Sequence, residues 1–384
     1  MNLPKLIARN LFRHKLRSLL TMLGIAIAVT AFALIRTVIA AWYIGVEMSS
    51  ENRLVTRSAI SLVSPLPLAY RDKIAKIPGV SAVSHGTWFG GFYKEEKNFF
   101  SNFSIDPQYI DLYPELILSP EEKKVFATQQ NTCIVGENLA KRFGWKIGDT
   151  VRIIGNIYPG NWDFVVGGIY RGAKKATDKT MFFFRWDYLD ERMKTESPPR
   201  AGHVGWFLIK IKKPDDAATI SKAVDSQFNN SLYETITETE KAFQLGFLSM
   251  VESIIKALKI VSVIIIGIIL IVLSNTMAMT ARERIPEYAT LKTMGFGARD
   301  LISIISGESI LIALCGGLAG IIFTFPIARL FGKSLEKFLP VFEVSKNTIT
   351  LSFLISLVVG ISASVLPSWR AIKLSIAQSL RKIG

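Results

Sequence analysis

Four uncharged stretches, Ser18–Ile35, Ile260–Ala281, Ser309–Ala328 and Asn347–Trp369, constrain this 384-residue chain more than any other feature. Each approaches the roughly 20 apolar residues that cross a bilayer core. The chain is therefore expected to be a membrane α-helical protein with four transmembrane helices. Composition agrees, with 49% hydrophobic residues, only 20% charged ones and a mean hydropathy of +0.32. The first run stops at Arg36 and resumes as Thr37–Val46. That predicts one long helix continuing past the far interface, with Arg36 snorkelling to the headgroups. Ala31-Phe32-Ala33 matches a signal-peptidase pattern, but the apolar run is longer than the roughly 7 to 15 residues of a signal core and continues beyond it, so the helix is expected to be retained.

Orientation follows from the basic residues. Lys5, Arg9, Arg13, Lys15 and Arg17 precede the first run, and Arg370, Lys373, Arg381 and Lys382 follow the last, with no acid among either set. The positive-inside rule puts both ends in the cytoplasm. Four spans then leave a large domain at 47–246 and a short loop at 329–346 outside. The remaining segments are 1–46 with the first span, 247–281 with a stalk and the second span, a cytoplasmic loop at 282–302, spans at 303–328 and 347–369, and a tail at 370–384. The chain has 46 Lys and Arg against 31 Asp and Glu, a net of +15, whereas 47–246 holds 26 against 24. The excess therefore belongs to the spans and their flanks and reports topology. No clustered basic domain or known motif supports a nucleic-acid partner.

The inserted segment mixes helix and strand patterns and reads as an α+β domain outside the cytoplasm. Ala69–Ile77 and Glu137–Phe143 are expected helices, stopped by Pro78-Gly79 and Gly144, and Asp215–Phe228 is a third. Strands are expected from Val80 and over Thr150–Ile154, Trp162–Val166, Met181–Phe184 and Val204–Ile211. Phe247, Val251, Ile254, Leu258 and Val261 then fall at spacings of 4, 3, 4 and 3, the pattern of a packing seam. Such a seam would couple the outer domain to the second span, against either Thr37–Val46 or a second copy of the chain. An ordinary core-facing stripe has the same spacing, since barely two heptads are present.

Enzymatic chemistry finds little footing. Gly332-Lys333-Ser334 ends like a phosphate-binding loop, but Ile327 stands where its first glycine belongs. His14, His85 and His203 lack metal-ligand spacing and read as solvent-facing or satisfied structural residues. Cys133 and Cys315 fall in the outer domain and third span and read as unpaired thiols. Glu308, near the start of the third span, and Glu252, before the second, are marginal acids, and none is expected at mid-membrane, where a proton- or ion-coupled carrier needs one. No cofactor or metal is expected in this chain.

The loop between the second and third spans carries more. Arg282, Glu283, Arg284 and Glu287 with the apolar Ile285, Leu291 and Met294 describe a short amphipathic helix that would fit a groove on a partner. Stop-transfer charges alone account for the arginines but not the acids. Gly316 and Gly320 form a G-x-x-x-G pair with Gly317 beside them, residues that allow close helix packing within the chain or at a dimer contact.

Asn275-Thr276-Met277, then Arg282-Glu283-Arg284-Ile285-Pro286-Glu287, then Lys292 to Gly295, resemble in order the N-T-M, E-R-x-x-E-I-G and K-x-x-G of the FtsX/MacB-type permeases of ABC transporters. Glu308 with Gly316–Ile321, Leu366–Ala371 with Ser379–Arg381, and Asn10–Gly24 resemble the family's third helix, C terminus and opening helix, while Ile77–Val80 and Val135–Glu137 are weaker echoes. Pro286 and Tyr288 depart from the family pattern and put the local helix geometry in question. The resemblance implies a permease subunit in a bacterial inner membrane, paired with a second permease copy. A separate ATPase subunit would bind ATP and Mg and dock on Arg282, Glu283, Arg284, Ile285, Glu287, Leu291, Lys292, Met294 and Gly295. It also implies export or extraction of an amphiphilic substrate by mechanotransmission, with a periplasmic adaptor and an outer-membrane component as further partners. Family members that regulate a periplasmic partner without transport supply the alternative.

Overall fold

The computed structural model describes residues 15–335, 339 and 341–373. Lys5, Arg9, Arg13 and Asn10–His14 of the basic N-terminal segment, and Ser379–Arg381 and Lys382 of the tail, lie outside the described residues. The chain forms two compact units, Tyr43–Met250 and the flanking segments that begin again at Val251.

Among the described residues, four helices are long and apolar enough to cross a bilayer: Lys15–Met48, Glu252–Glu283, Ala298–Gly332 and Lys346–Lys373. Arg36 does not interrupt the first, whose 34 residues make a continuous rod about 50 Å long. Its inner stripe of Ile25, Ala26, Val29, Phe32 and Ala33 is buried, while Leu19, Leu20, Leu23 and Ile27 are exposed as a lipid-facing surface requires. Ile25 and Val29 share a core with Ile269, Leu273, Ile305, Ile312, Val359 and Ala363.

The glycines predicted for close packing serve two contacts inside the chain. A Cβ on Gly316 would stand 2.8 Å from the Met22 carbonyl oxygen, and one on Gly320 would stand 2.6 Å from that of Ala26. Gly317 faces the fourth helix, where a Cβ would meet Ser356 Oγ at 2.2 Å. The close approach brings polar groups into register: Thr30 Oγ1 donates to the Gly320 carbonyl at 2.9 Å, and Ser309 Oγ to that of Gly360 at 2.7 Å.

The outer unit is built on a mixed sheet. In spatial order its main path runs Thr235–Thr239, Arg53–Ser58, Trp206–Ile211, Val80–Trp88, Asn102–Ile105, Phe182–Arg185, Thr132–Gly136, Gly160–Gly172, Thr150–Gly155 and Phe92–Tyr93. Two pairings are parallel, Phe182–Arg185 with Asn102–Ile105 and Thr132–Gly136 with Gly160–Gly172. Both faces are covered. Phe182 and Phe184 enter one core with Cys133, Val135 and Trp162, while Phe183 enters another with Ile134, Tyr109 and Leu208 on the opposite face. That explains why Met181–Phe184 reads as a continuous apolar run rather than an alternation.

The expected helices appear as Tyr70–Ala75, Glu137–Phe143 and Ala217–Phe228. The strand expected over Val204–Ile211 is divided by Gly205 into His203–Val204 and Trp206–Ile211. Pro120–Thr128 and Trp186–Glu196 are helices the sequence reading leaves unassigned. The first of these carries a legible start signal, a reciprocal capping box between Ser119 and Glu122 with proline in the first turn.

The proposed seam differs from expectation. The helix Glu240–Met250 ends before Val251, whose φ of −107° and ψ of 9° are not helical, and the second span starts at Glu252. Phe247, Ile254 and Val261 are exposed and Val251 and Leu258 half-buried. In the second span the buried stripe is Ile255, Ser262, Ile269, Leu273 and Met277, one position further along the chain. The break at Val251 resets the helical phase, which a run of spacings through it cannot register.

Candidate functional site

The segment between the second and third spans folds into a nine-residue helix, Ile285–Thr293, separated from the second span by a turn at Arg284. Pro286 lies in its first turn, where a missing N–H costs nothing, so the departure from the family pattern leaves the helix intact. Gly295 ends it with a φ of +92°. The Gly295 and Phe296 amides donate back to the carbonyls of Lys292 and Leu291, each at 3.1 Å, which is the arrangement of a left-handed helix stop. The glycine of the K-x-x-G motif is thus a backbone requirement.

The predicted docking residues separate into two groups. Arg284 is 7% exposed, and its guanidinium donates to Glu308 at 2.8 Å and Glu287 at 2.9 Å. Glu308, 4% exposed, stands in the first third of the helix Ala298–Leu335 and is buried as half of an ion pair. Tyr288 packs beside Arg284, with the guanidinium 5.5 Å from its ring centre. Tyr288 and Ala289 are the buried residues of the short helix, and Leu291 packs against the same membrane core. Glu283 makes a two-pronged ion pair with Arg17 at 2.6 and 2.9 Å, clipping the ends of the second and first spans together. Lys292 Nζ donates to the Ile372 carbonyl at 2.9 Å.

Arg282, Met294 and Gly295 are exposed, Ile285 is half-buried, and Pro286, Thr290 and Thr293 join the exposed set. Pro286, Thr290, Thr293 and Met294 recur at spacings of 4, 3 and 1, so the outward face of the short helix is uncharged. Of the ionic residues named for docking, Arg284 and Lys292 bond to the third and fourth spans and Glu287 to Arg284, while Arg282 stays exposed. Pro286, Thr290 and Thr293, exposed on this face, were not among the residues named from the sequence, although their helical spacing is legible there.

The outer unit contains a second notable feature, a cavity of about 990 Å³. Its floor is one face of the sheet, with Val55, Phe103, Phe183 and Trp206, and its walls include Ile44 and Met48 from the end of the first helix and Phe243 and Phe247 from Glu240–Met250. Gly45 lies at their contact, where a Cβ would stand 3.0 Å from Gln244 Oε1 at the end of a flexible side chain. At one side lies a buried ionic cluster. Arg53 donates to Glu115 at 2.6 Å and to Glu240 at 2.7 Å, and lies 4.2 Å over the Tyr113 ring. Tyr113 and the Ser50 amide also donate to Glu240, at 3.0 and 2.8 Å. Burial works against the Arg53 charge, but the two carboxylates more than offset it and hold the guanidinium's pKa above its ordinary range.

Of the expected surface or satisfied histidines, His85 is neither. It is 4% exposed, neither ring nitrogen has a hydrogen-bond partner, and burial pushes its pKa down to about 4. His203 is half-buried, with Nδ1 2.8 Å from the Ala201 carbonyl. Cys133 is buried and Cys315 exposed, both free.

Two family models match the chain: a MacB-like periplasmic core domain over residues 18–227 and an FtsX-like permease C-terminal domain over 259–376. An uncharacterized ABC transporter permease of Methanocaldococcus jannaschii is 23% identical, covering 97% of this chain and 96% of that one. The macrolide export ATP-binding/permease protein MacB of Vibrio parahaemolyticus is 31% identical over 34% of this chain, a match spanning 19% of that longer protein. Among solved structures, the periplasmic region of MacB from Actinobacillus actinomycetemcomitans is similar at a TM-score of 0.38 and 12% identity, covering 53% of this chain and 95% of that one.

Proposed function

Because this chain belongs to the FtsX/MacB-type family of ABC transporter permeases, we propose that it is the membrane subunit through which a separate ATPase drives export or extraction of an amphiphilic substrate. The observation that carries this reading is the short helix Ile285–Thr293. It is fastened inward by the Arg284–Glu308 pair and presents the uncharged face of Pro286, Thr290, Thr293 and Met294 outward. A helix held in this way can take a push from a partner and pass it to the third span without slipping. The Arg17–Glu283 pair ties the second span to the first, and the first helix is an unbroken rod from Lys15 to Met48.

In this mechanism ATP and Mg bind the partner, closure of the ATPase dimer moves the short helices of two permease copies, and the long helices carry the motion to the outer domains. Both termini lie with the ATPase in the cytoplasm, and in a double-membrane bacterium an adaptor and an outer-membrane component would receive the substrate. The cavity of about 990 Å³ in the outer unit favours cargo handling over regulation alone.

The test is co-purification. Thr290→Glu with Met294→Glu places two charges on the outward face and should abolish recovery of the ATPase while leaving the permease's own thermal stability unchanged. Undiminished assembly and ATP turnover in that variant would remove the docking role.

A further inference from the structure

We propose that the cavity of the outer unit holds the hydrocarbon tail of a lipid-like molecule, an alkyl or acyl chain gripped by apolar contact alone, with its headgroup left outside. The whole lining belongs to Tyr43–Met250, so the site is complete within the outer unit. Its volume of about 990 Å³ stands at the top of the roughly 300–1,000 Å³ range of ligand sites. Phe103, Phe183 and Trp206 on the floor and Phe243 and Phe247 on the wall make it apolar and largely aromatic.

The polar groups of the lining are already committed within the chain. Both oxygens of Glu115 accept from Arg53, which also donates to Glu240, and Tyr113 and the Ser50 amide complete the bonds to the Glu240 carboxylate. Arg200 donates to the Ile157 carbonyl, and Asp178 accepts from the amide and hydroxyl of Thr180. Among the described residues, none of the buried side-chain nitrogen or oxygen atoms left without a partner lines the cavity. A site that recognises a polar ligand keeps such atoms free to orient it. Here the available driving force is the removal of aromatic and aliphatic surface from water, so the occupant is hydrocarbon and its headgroup charge has little influence.

The rim points to a chain rather than a compact molecule. Val63 and Met250 line the cavity yet are 86% and 71% exposed, and Phe247 and Ile157 are 43% and 42% exposed. Apolar residues gathered about one opening are covered when something apolar passes through it. A compact molecule held inside would leave them in water, whereas a tail leaving the cavity runs along them. Met48, Met181 and Met250 add unbranched, adaptable side chains that can follow a flexible chain. That the occupant is cargo rests on the permease reading; that a tail binds follows from the cavity itself.

Tail-labelled amphiphiles test the proposal. Three probes share one long alkyl tail that ends in a photoreactive diazirine and differ only in headgroup: a carboxylate, a maltoside and a quaternary ammonium. Full-length protein in nanodiscs is irradiated with each, and labelled peptides are mapped by mass spectrometry with the lipid-facing spans as internal reference. The expected result is saturable labelling of the floor peptides that carry Phe103, Phe183 and Trp206, with the three probes within about fivefold of one another. An unlabelled long-chain alcohol should displace the probes at least tenfold more effectively than adamantanol, a compact apolar alcohol, at the same membrane concentration. Phe243→Gln with Phe247→Gln should lower floor labelling at least tenfold, with tryptophan fluorescence on heating used to check the fold. Where that variant melts early, the wild-type map, the headgroup comparison and the displacement decide the matter. Labelling confined to the spans, a wider spread between headgroups, equal displacement by adamantanol, or undiminished labelling in the folded double variant would each overturn the proposal. ATPase co-purification is scored on the same preparations. An assembled, ATP-hydrolysing complex whose floor stays unlabelled refutes the cavity assignment alone, while floor labelling without an ATPase partner refutes the permease reading and leaves the tail site standing.

Discussion

Replacing Arg284 by methionine should free the short helix Ile285–Thr293 from the membrane core. In the folded chain the guanidinium and the Glu308 carboxylate are 8% and 6% exposed and 2.8 Å apart. Removing one partner of a buried pair costs about 3–5 kcal/mol, because the other charge keeps its desolvation penalty and loses the compensating attraction. At about 1.4 kcal/mol per tenfold, that is roughly two to three and a half powers of ten in a local opening equilibrium. Glu308→Gln should cost less, about 1.5–3 kcal/mol, the worth of a charged hydrogen bond, since Arg284 retains Glu287 at 2.9 Å. Arg284→Met with Glu308→Leu removes both charges and should come back to within about 1 kcal/mol of wild type, as apolar replacements of buried pairs commonly do.

Native-state hydrogen exchange on the nanodisc-embedded protein, read by mass spectrometry over residues 285–296, measures this opening directly. The Met294 and Phe296 amides donate within this segment and the Tyr288 amide to the Arg284 carbonyl just before it, so all three report its closure. Protection should fall by roughly a hundredfold or more in Arg284→Met and recover in the double variant. Unchanged protection in the single variant, or a double variant as loose as the single, would show that the pair does not fasten the helix.

Other consequences follow from specific contacts. His85 takes a proton near pH 6.5 when unfolded and near 4 when folded, so between those values the unfolded chain binds more protons. Stability is fully present above about 6.5 and falls by about 3 kcal/mol as the pH drops to 4; His85→Leu should flatten that part of the curve. Five of the seven tryptophans lie in the outer unit, so their fluorescence on heating follows it. Gly320→Ala puts a methyl 2.6 Å from the Ala26 carbonyl oxygen and should cost about 1–3 kcal/mol through overpacking, seen as a lower melting temperature than for Gly24→Ala, which meets open space. Gly295→Ala should loosen the end of the short helix by about 1 kcal/mol through its positive φ, with faster exchange confined to the Phe296 amide and its neighbours.

The spans were legible because membrane burial acts on every residue of a run, so an uncharged stretch of sufficient length is its own evidence. The helix Glu137–Phe143 and the packing role of Gly316 and Gly320 were legible for a similar reason: each depends on residues within one or two turns. The ion pairs were not. Arg284 and Glu287 have the spacing of solvent-exposed helix partners, and only the third span's return, which brings Glu308 alongside, makes them internal. The Arg53 cluster gathers Glu115 and Glu240, 62 and 187 positions further along the chain, and no local pattern marks their meeting. Arg53–Ser58 lies between Trp206–Ile211 and Thr235–Thr239, so the cavity floor exists only once strands from opposite ends of the insertion are paired. A charged residue in a sequence states that a charge must be solvated; whether water or a distant carboxylate does so is decided by the fold. Spacing alone could name Arg284, Glu287 and Lys292 as charged positions, but only the fold shows that they are bonded within the chain while Arg282 and Met294 stay exposed.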